Sequence, residues 1–236
     1  METTARLTSF TASELEAIGN EFEDQPPQVV LRWAFHQFHP EIALACSFGA
    51  EDVVLVDMIV EIEPAARIFY LDTDFLFPET RDVIERVKMR YGIEPVAYRS
   101  LLTPEEQARL YGENLYWRDP DRCCALRKVE PLQRALAGLR AWITGIRREQ
   151  APTRAHARLI EWDRKFGLVK INPLVRWTAR EVWSYIKEHH VPYNVLHDHG
   201  YPSIGCWPCT QPVAPGEDPR SGRWRGFQKT ECGLHA

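Results

Sequence analysis

The stretch "EIALACSFGAEDVVLVDMIVEI" (41–62) joins a short apolar run to a longer one through a turn that holds one glycine. The first run, 41–49, has the length of a buried strand, and the second, 50–62, the length and apolar content of a helix. A strand that passes straight into a helix is the first half of a βαβ unit. The pattern repeats outward from there. "ARIFYLDTD" (66–74) reads as strand and turn, and "PETRDVIERVKMRYG" (78–92) as a helix that opens on proline and closes on glycine. "IEPVAYRS" (93–100) is a further strand, weakened by Pro95. "DRCCALRKVEPLQRALAG" (121–138) is largely helical, and "AWITGIR" (141–147) and "LVKINPLV" (168–175) are strands separated by a basic loop. "TAREVWSYIKEHH" (178–190) is a threonine-capped helix. This alternation predicts an α/β fold, a mostly parallel sheet flanked by helices.

The chain has 236 residues, 44% of them hydrophobic, enough for one full core. Residues 1–210 are expected to form a single domain, and 211–236, rich in proline, glycine and charge, a mobile C-terminal arm. No apolar run reaches the roughly 20 residues of a membrane span. The start "METTARLTSFTASELEAIGN" has neither the apolar core of a signal peptide nor an arginine-rich transit pattern. A cytoplasmic protein without a membrane partner is expected. The net charge of −4 argues against nucleic acid, whereas the local clusters in "GIRREQAPTRAHAR" and "RSGRWRGFQK" suit a small anion.

Ligands of an open α/β sheet bind beyond the carboxyl ends of its strands, and three segments fall there. In "SFGAED" (47–52) the backbone around Ser47 and Gly49, at a helix start, can hold an anion. "LDTD" (71–74) offers Leu71 and Asp72 to a sugar or base, and "TGIRREQAPTR" (144–154) brings Arg147, Arg148 and Arg154. Together they predict a nucleotide site. The six cysteines add a second feature. Cys46 lies inside an apolar strand and reads as a core thiol. Cys123 and Cys124 are adjacent, and Cys206 and Cys209 form C-x-x-C. Two close pairs read as a tetrathiolate metal site. Zinc takes four cysteines, and so does a [4Fe–4S] cluster, one thiolate per iron. The adjacent pair favours the cluster and leaves zinc open. Cys232, close to the terminus where residues are usually mobile, is either an incidental exposed thiol or one placed to reach something.

"SFGAED", "LDTD", "CCALRK", "GIRREQ", "GCWPCT", "RSGRW" and "ECGLH" occur in this order, and from about residue 41 onward the chain resembles the assimilatory adenylyl-sulfate reductases, the thioredoxin-dependent iron–sulfur branch of the PAPS/APS reductase family. The resemblance implies an adenine nucleotide alpha-hydrolase-like fold and one [4Fe–4S] cluster per chain on Cys123, Cys124, Cys206 and Cys209. It implies reduction of adenosine 5′-phosphosulfate (APS) to sulfite and AMP by reduced thioredoxin, through an S-sulfocysteine on Cys232. It further implies Lys128 between cluster and substrate, and Arg220 and Arg223 on the phosphosulfate. His235 is a candidate to bind sulfonate or support the thiolate. Glu231 stands beside the nucleophile, where a carboxylate disfavours a thiolate, and the sequence supplies no reason for it.

Three other readings stay open at this stage: use of the 3′-phosphorylated substrate (PAPS), an ATP-dependent adenylating or thiolating enzyme, and a non-catalytic iron–sulfur sensor. Phe48, and the acidic pair Glu51 and Asp52 where a third phosphate would lie, count against ATP. Trp207, inside the C-x-x-C turn, is expected to shield the cluster. Four residues after Cys232 leave no room for an attached thioredoxin-like domain, so the reductant is expected from outside. The sequence leaves room for a homo-oligomer.

Overall fold

The computed structural model describes residues 10–235. Two helices, α1 (Ala12–Phe22) and α2 (Pro27–Phe38), precede the run β1 (Ile42–Ala45), α3 (Ala50–Ile62), β2 (Arg67–Asp72), α4 (Pro78–Tyr91) and β3 (Val96–Arg99). Short helices α5 (Pro104–Tyr111), α6 (Leu115–Arg118) and α7 (Pro120–Cys124) lead through a π-helical turn, Ala125–Val129, into α8 (Glu130–Leu136). Strands β4 (Ala141–Ile143), β5 (Ile160–Asp163) and β6 (Leu168–Ile171) and helix α9 (Ala179–Glu188) complete the regular structure. The sheet runs β3-β2-β1-β4-β6-β5, parallel throughout except for β5, which pairs antiparallel with β6 at the edge. From β1 the chain moves outward to β3, then returns to lay β4 on the other side of β1. The order therefore reverses between β1 and β4, which opens a crevice at their carboxyl ends.

Strand alternation distributes the core between the two faces. Ile42 and Leu44, Ala141 and Ile143, and Val169 and Ile171 point into one apolar cluster with α2, α3 and α9. Ala43, Trp142 and Leu168 point into the other, with Leu132, Ala135 and Leu136 of α8. Helix α3 buries Val53 to Val56, Met58 and Ile59; each such side chain contributes about 1.5–3 kcal/mol by leaving water. Its sequence is apolar nearly all round because it lies under α2 and α9 as well as on the sheet. Helix α4 stops where Gly92 adopts the left-handed conformation, φ 65°, and Thr178 and Glu181 form a capping box at the start of α9.

The basic loop expected between β4 and β6 contains β5, which the sequence reading missed. Its four residues are too few to show a period, and Trp162 is exposed. Beyond Thr210 the arm has no helix or strand, only a bridge between Thr210 and Arg223. It lies against the domain: Leu234 packs on the α8-side cluster and His235 stacks on Trp142, 5.7 Å between ring centroids. Among the described residues no helix is long and apolar enough to cross a membrane.

Candidate active site

A cavity of about 870 Å³ occupies the crevice at the carboxyl ends of β1, β2 and β4, within the range of small-molecule and cofactor sites. Its floor is the turn after β1, which includes Ser47 and Gly49. Leu71 near the end of β2 and Thr73 after it, Thr144 and Gly145 after β4, and the arm with Arg220, Arg223, Cys232 and His235 form its walls. The turn after β1 holds an anion of its own. Asp52 Oδ2 accepts from the Ser47 N–H at 2.5 Å and from Ser47 Oγ at 2.6 Å. Burial is the main reason the Asp52 carboxyl is pushed up to about 6, against the opposing bonds from Ser47. Gly145 is needed opposite, because a Cβ there would stand 2.3 Å from Asp52 Oδ1.

The arm delivers Cys232 to the cavity in a cationic setting. Burial raises its thiol pKa, but Lys128, the Leu234 N–H and Arg223 outweigh that and the opposing Glu231, so the thiol lies below its ordinary value. Burial opposes the charge on Lys128, yet the sulfurs of Cys206, Cys232 and Cys124 overcome it and hold the ammonium above its usual value. Lys128 reaches this place from the π-helical turn, a widening common at functional sites. Arg220 Nε, Arg223 Nε, Trp224 Nε1 and His235 Nδ1 are buried without a protein partner, and all four residues line the cavity. Unpaired guanidinium donors in a closed site are suited to an anionic ligand. His235 is neutral: burial first, then Lys170, Arg154 and Arg220, holds its pKa well below the ordinary range.

Behind that wall lies a small second cavity lined by Cys123, Cys124, Cys206 and Cys209. Lys128, Cys206 and Trp224 line both spaces, so they form the partition between them. Helix α7 supplies the first pair; of the second, Cys206 precedes the turn Trp207–Cys209 and Cys209 ends it. Burial, then the neighbouring sulfurs, pushes Cys123 up to about 12 and Cys209 to about 11. Thr73 Oγ1 lies 3.2 Å from Cys206 Sγ. Among the described residues no group of three or more His, Cys, Asp or Glu side chains is arranged to hold a metal ion. An all-cysteine donor set around one space, with no carboxylate or imidazole among its lining residues, fits a tetrathiolate centre, the donor set that both zinc and a cubane take. Trp207, expected to shield a cluster, is 47% exposed, packs edge-on to Phe75 and is not part of the lining of this space.

Several residues expected at the substrate have other partners. Asp72 is buried, but it accepts from Arg99 Nε and Nη2 and from the Asp74 N–H and is not part of the cavity lining. Arg148 points away, to the Ala157 carbonyl and Glu23. Arg147 lines the cavity, but its guanidinium is held by Glu51, Glu149 and the Trp177 carbonyl. Arg154 is bound to Glu231. In each case an oppositely charged side chain distant in sequence claims the charge. The sequence reading missed Thr73, Trp142, Trp183 and His197, which also line the cavity; the T of "LDTD" was the one available signal. Cys46 is buried and its thiol lies well above the ordinary value, chiefly through burial, as a core cysteine should.

Residues 41–212 match the family described as the phosphoadenosine phosphosulfate reductase domain. The chain is 53% identical over 207 residues to an adenosine 5′-phosphosulfate reductase of Geobacillus kaustophilus, covering 87% of this chain and 88% of that one. It is 50% identical over 225 residues to a phosphoadenosine 5′-phosphosulfate reductase of Gloeobacter violaceus, covering 94% and 93%. The crystal structure of phosphoadenylyl-sulfate reductase from Candida auris, a phosphate complex, superposes with a TM-score of 0.77 at 35% identity over 86% of this chain and 98% of that one. The expected fold, a mostly parallel sheet of the adenine nucleotide alpha-hydrolase-like kind, is therefore the observed one.

Proposed function

The chain belongs to the phosphoadenosine phosphosulfate reductase family, and from that premise we propose that it reduces APS to sulfite and AMP in assimilatory sulfate reduction, with reduced thioredoxin as electron donor. The observation that carries this reading is the meeting of Cys232 with Lys128 and Arg223 at the wall of a nucleotide-sized cavity. Lys128, Arg223 and the open Nε of Arg220 offset the negative charge of the phosphosulfate, which would otherwise repel a thiolate. The Cys232 thiolate attacks the sulfonate sulfur, the bond from sulfur to phosphate oxygen breaks, and AMP leaves with the electron pair. The arm then presents the S-sulfocysteine to thioredoxin. One thiolate of that protein attacks Cys232 Sγ and expels sulfite, and its second thiol resolves the mixed disulfide. The two electrons come from the thioredoxin dithiol. Cys123, Cys124, Cys206 and Cys209 would hold one [4Fe–4S] cluster. When bound, it supplies a rigid charged anchor that ties α7 to the Trp207–Cys209 turn behind Lys128.

A second reading, use of PAPS, is favoured by the likeness to the Gloeobacter protein. Against it, the guanidiniums of Arg147, Arg148 and Arg154 are all paired with carboxylates, and a 3′-phosphate adds about two negative charges. ATP is disfavoured because Asp52 already takes up the Ser47 donors. Anaerobic assay of sulfite release from APS and PAPS, with and without reduced thioredoxin, tests the choice. APS should be preferred in kcat/KM by about tenfold or more, about 1.4 kcal/mol. Equal use of PAPS would overturn the preference, and absence of sulfite from either would overturn the enzyme reading in favour of a sensor.

A further inference from the structure

The carboxylate of Glu231, one residue before Cys232, is gripped from several sides. It accepts from Arg154 Nε at 2.8 Å and Nη2 at 2.9 Å, a forked pair, from Thr153 Oγ1 at 3.1 Å and from Arg220 Nη2 at 3.2 Å. Arg154 Nη1 donates to Gln150 Oε1 at 2.6 Å, so that guanidinium is fully engaged within the protein. Arg220 also donates to the Thr230 carbonyl at 2.7 Å, which fixes the residue before Glu231. The side chains of Arg154 and Glu231 are 12% and 14% exposed, a shielded setting in which a two-pronged ion pair is strong. Thr153 and Arg154 lie on the loop after β4, so the clamp fastens the arm to the domain. On the other side of the thiol, Lys165 holds the Gly233 carbonyl and Leu234 packs on the core.

We propose that Glu231 is a positioning residue for the first half-reaction: its clamp on Arg154, Thr153 and Arg220 holds the arm closed with Cys232 inside the cavity. The inference rests on the reading of Cys232 as the nucleophile. It also accounts for a carboxylate beside a thiolate. Two guanidiniums neutralise that charge where it stands, while Lys128 and Arg223 favour the ionised form of the sulfur. Burial works against the ionised form of Glu231, but Arg154 and Arg220 outweigh it and keep its pKa below the ordinary carboxylate value. The clamp is therefore closed at neutral pH.

The test uses reduced holoenzyme under anaerobic conditions, with Glu231→Gln, Arg154→Gln, their combination, and the charge-swapped pair Glu231→Arg with Arg154→Glu. Single-turnover AMP release from APS should slow by about tenfold or more in each single variant, and the combination should be no slower than the slower single. Equilibrium AMP binding, and thioredoxin-driven sulfite release from preformed adduct, should stay within about twofold of wild type. Hydrogen exchange in residues 226–235 should quicken, and the swapped pair should recover part of both losses. A wild-type rate in Glu231→Gln, or losses that simply multiply in the combination, would overturn the proposal. Tighter APS binding or faster adduct formation in Glu231→Gln would also overturn it, and would make Glu231 a competitor for the anion site. A wild-type enzyme that forms no adduct sinks the functional reading and this inference with it; a wild-type adduct with unaffected variants sinks this inference alone.

Discussion

At Cys232, burial and Glu231 oppose ionisation, Lys128, the Leu234 N–H and Arg223 favour it, and the sum leaves the thiol more acidic than usual. The thiolate is the reactive form. Adduct formation should therefore rise with pH and level off below the ordinary thiol value of 9.0. An opposite charge at close range is worth about one to three pH units. Lys128→Ala should move the inflection upward and slow adduct formation at neutral pH by roughly tenfold or more, which a stopped-flow pH profile of AMP release would read. An inflection unmoved by the substitution would show that Lys128 does not set the charge of the nucleophile. The same lysine lies four positions beyond Cys124, about one helical turn, so its proximity to the cysteines was legible in the sequence. The partners of Arg154 were not. Glu231 lies 77 positions away, and a surface arginine and a substrate-binding arginine look alike until the fold says which carboxylate reaches them.

The strand-turn-helix units β1-α3 and β2-α4 were legible because each joins a short apolar run to a longer helical stretch and is punctuated by glycine or proline. Strand β5 was not, since four residues at a sheet edge carry no period. The turn between β1 and α3 was read correctly as acidic, but not as self-satisfied. Asp52 is the group that makes it so, and it has a cost that depends on pH. Its folded-state pKa is raised from 3.8 to about 6, so the fold favours the neutral carboxyl. Its contribution is fully present below the unfolded value of 3.8 and is lost as pH rises through about 6. The displacement corresponds to about 3 kcal/mol at most. Asp52→Asn keeps an oxygen for Ser47 and removes the charge. The variant should melt above wild type at pH 7 to 8 and converge with it near pH 4 in a fluorimetric Tm series. Parallel curves across that range would contradict the raised carboxyl.

In the whole molecule, the partition of Lys128, Cys206 and Trp224 sets two spaces back to back, and on the proposed function the chemistry of each should be removable without the other. Anaerobically purified protein should carry iron and acid-labile sulfide near four of each per chain, as a four-thiolate cubane requires. Serine at any of Cys123, Cys124, Cys206 or Cys209 should lose both, while stoichiometric zinc without sulfide would contradict the cluster. Cys232→Ser should keep iron and sulfide and bind AMP. Both cysteine pairs were legible as pairs. That they face one small space behind the nucleotide cavity was not, because the segments that carry them are more than 80 residues apart.

On the proposed function, Cys232 is a nucleophile that accepts the sulfonate before any reductant arrives. That role is tested most directly by giving APS to the reduced holoenzyme without thioredoxin and analysing the products by AMP assay and peptide mass spectrometry. About one AMP per active site should be released before the reaction stops, because a covalent intermediate accumulates when its resolving step is blocked. A sulfonate adduct should appear on the peptide that contains Cys232 and be released as sulfite on adding reduced thioredoxin. An adduct on Cys46, or undiminished turnover by Cys232→Ser, would contradict it.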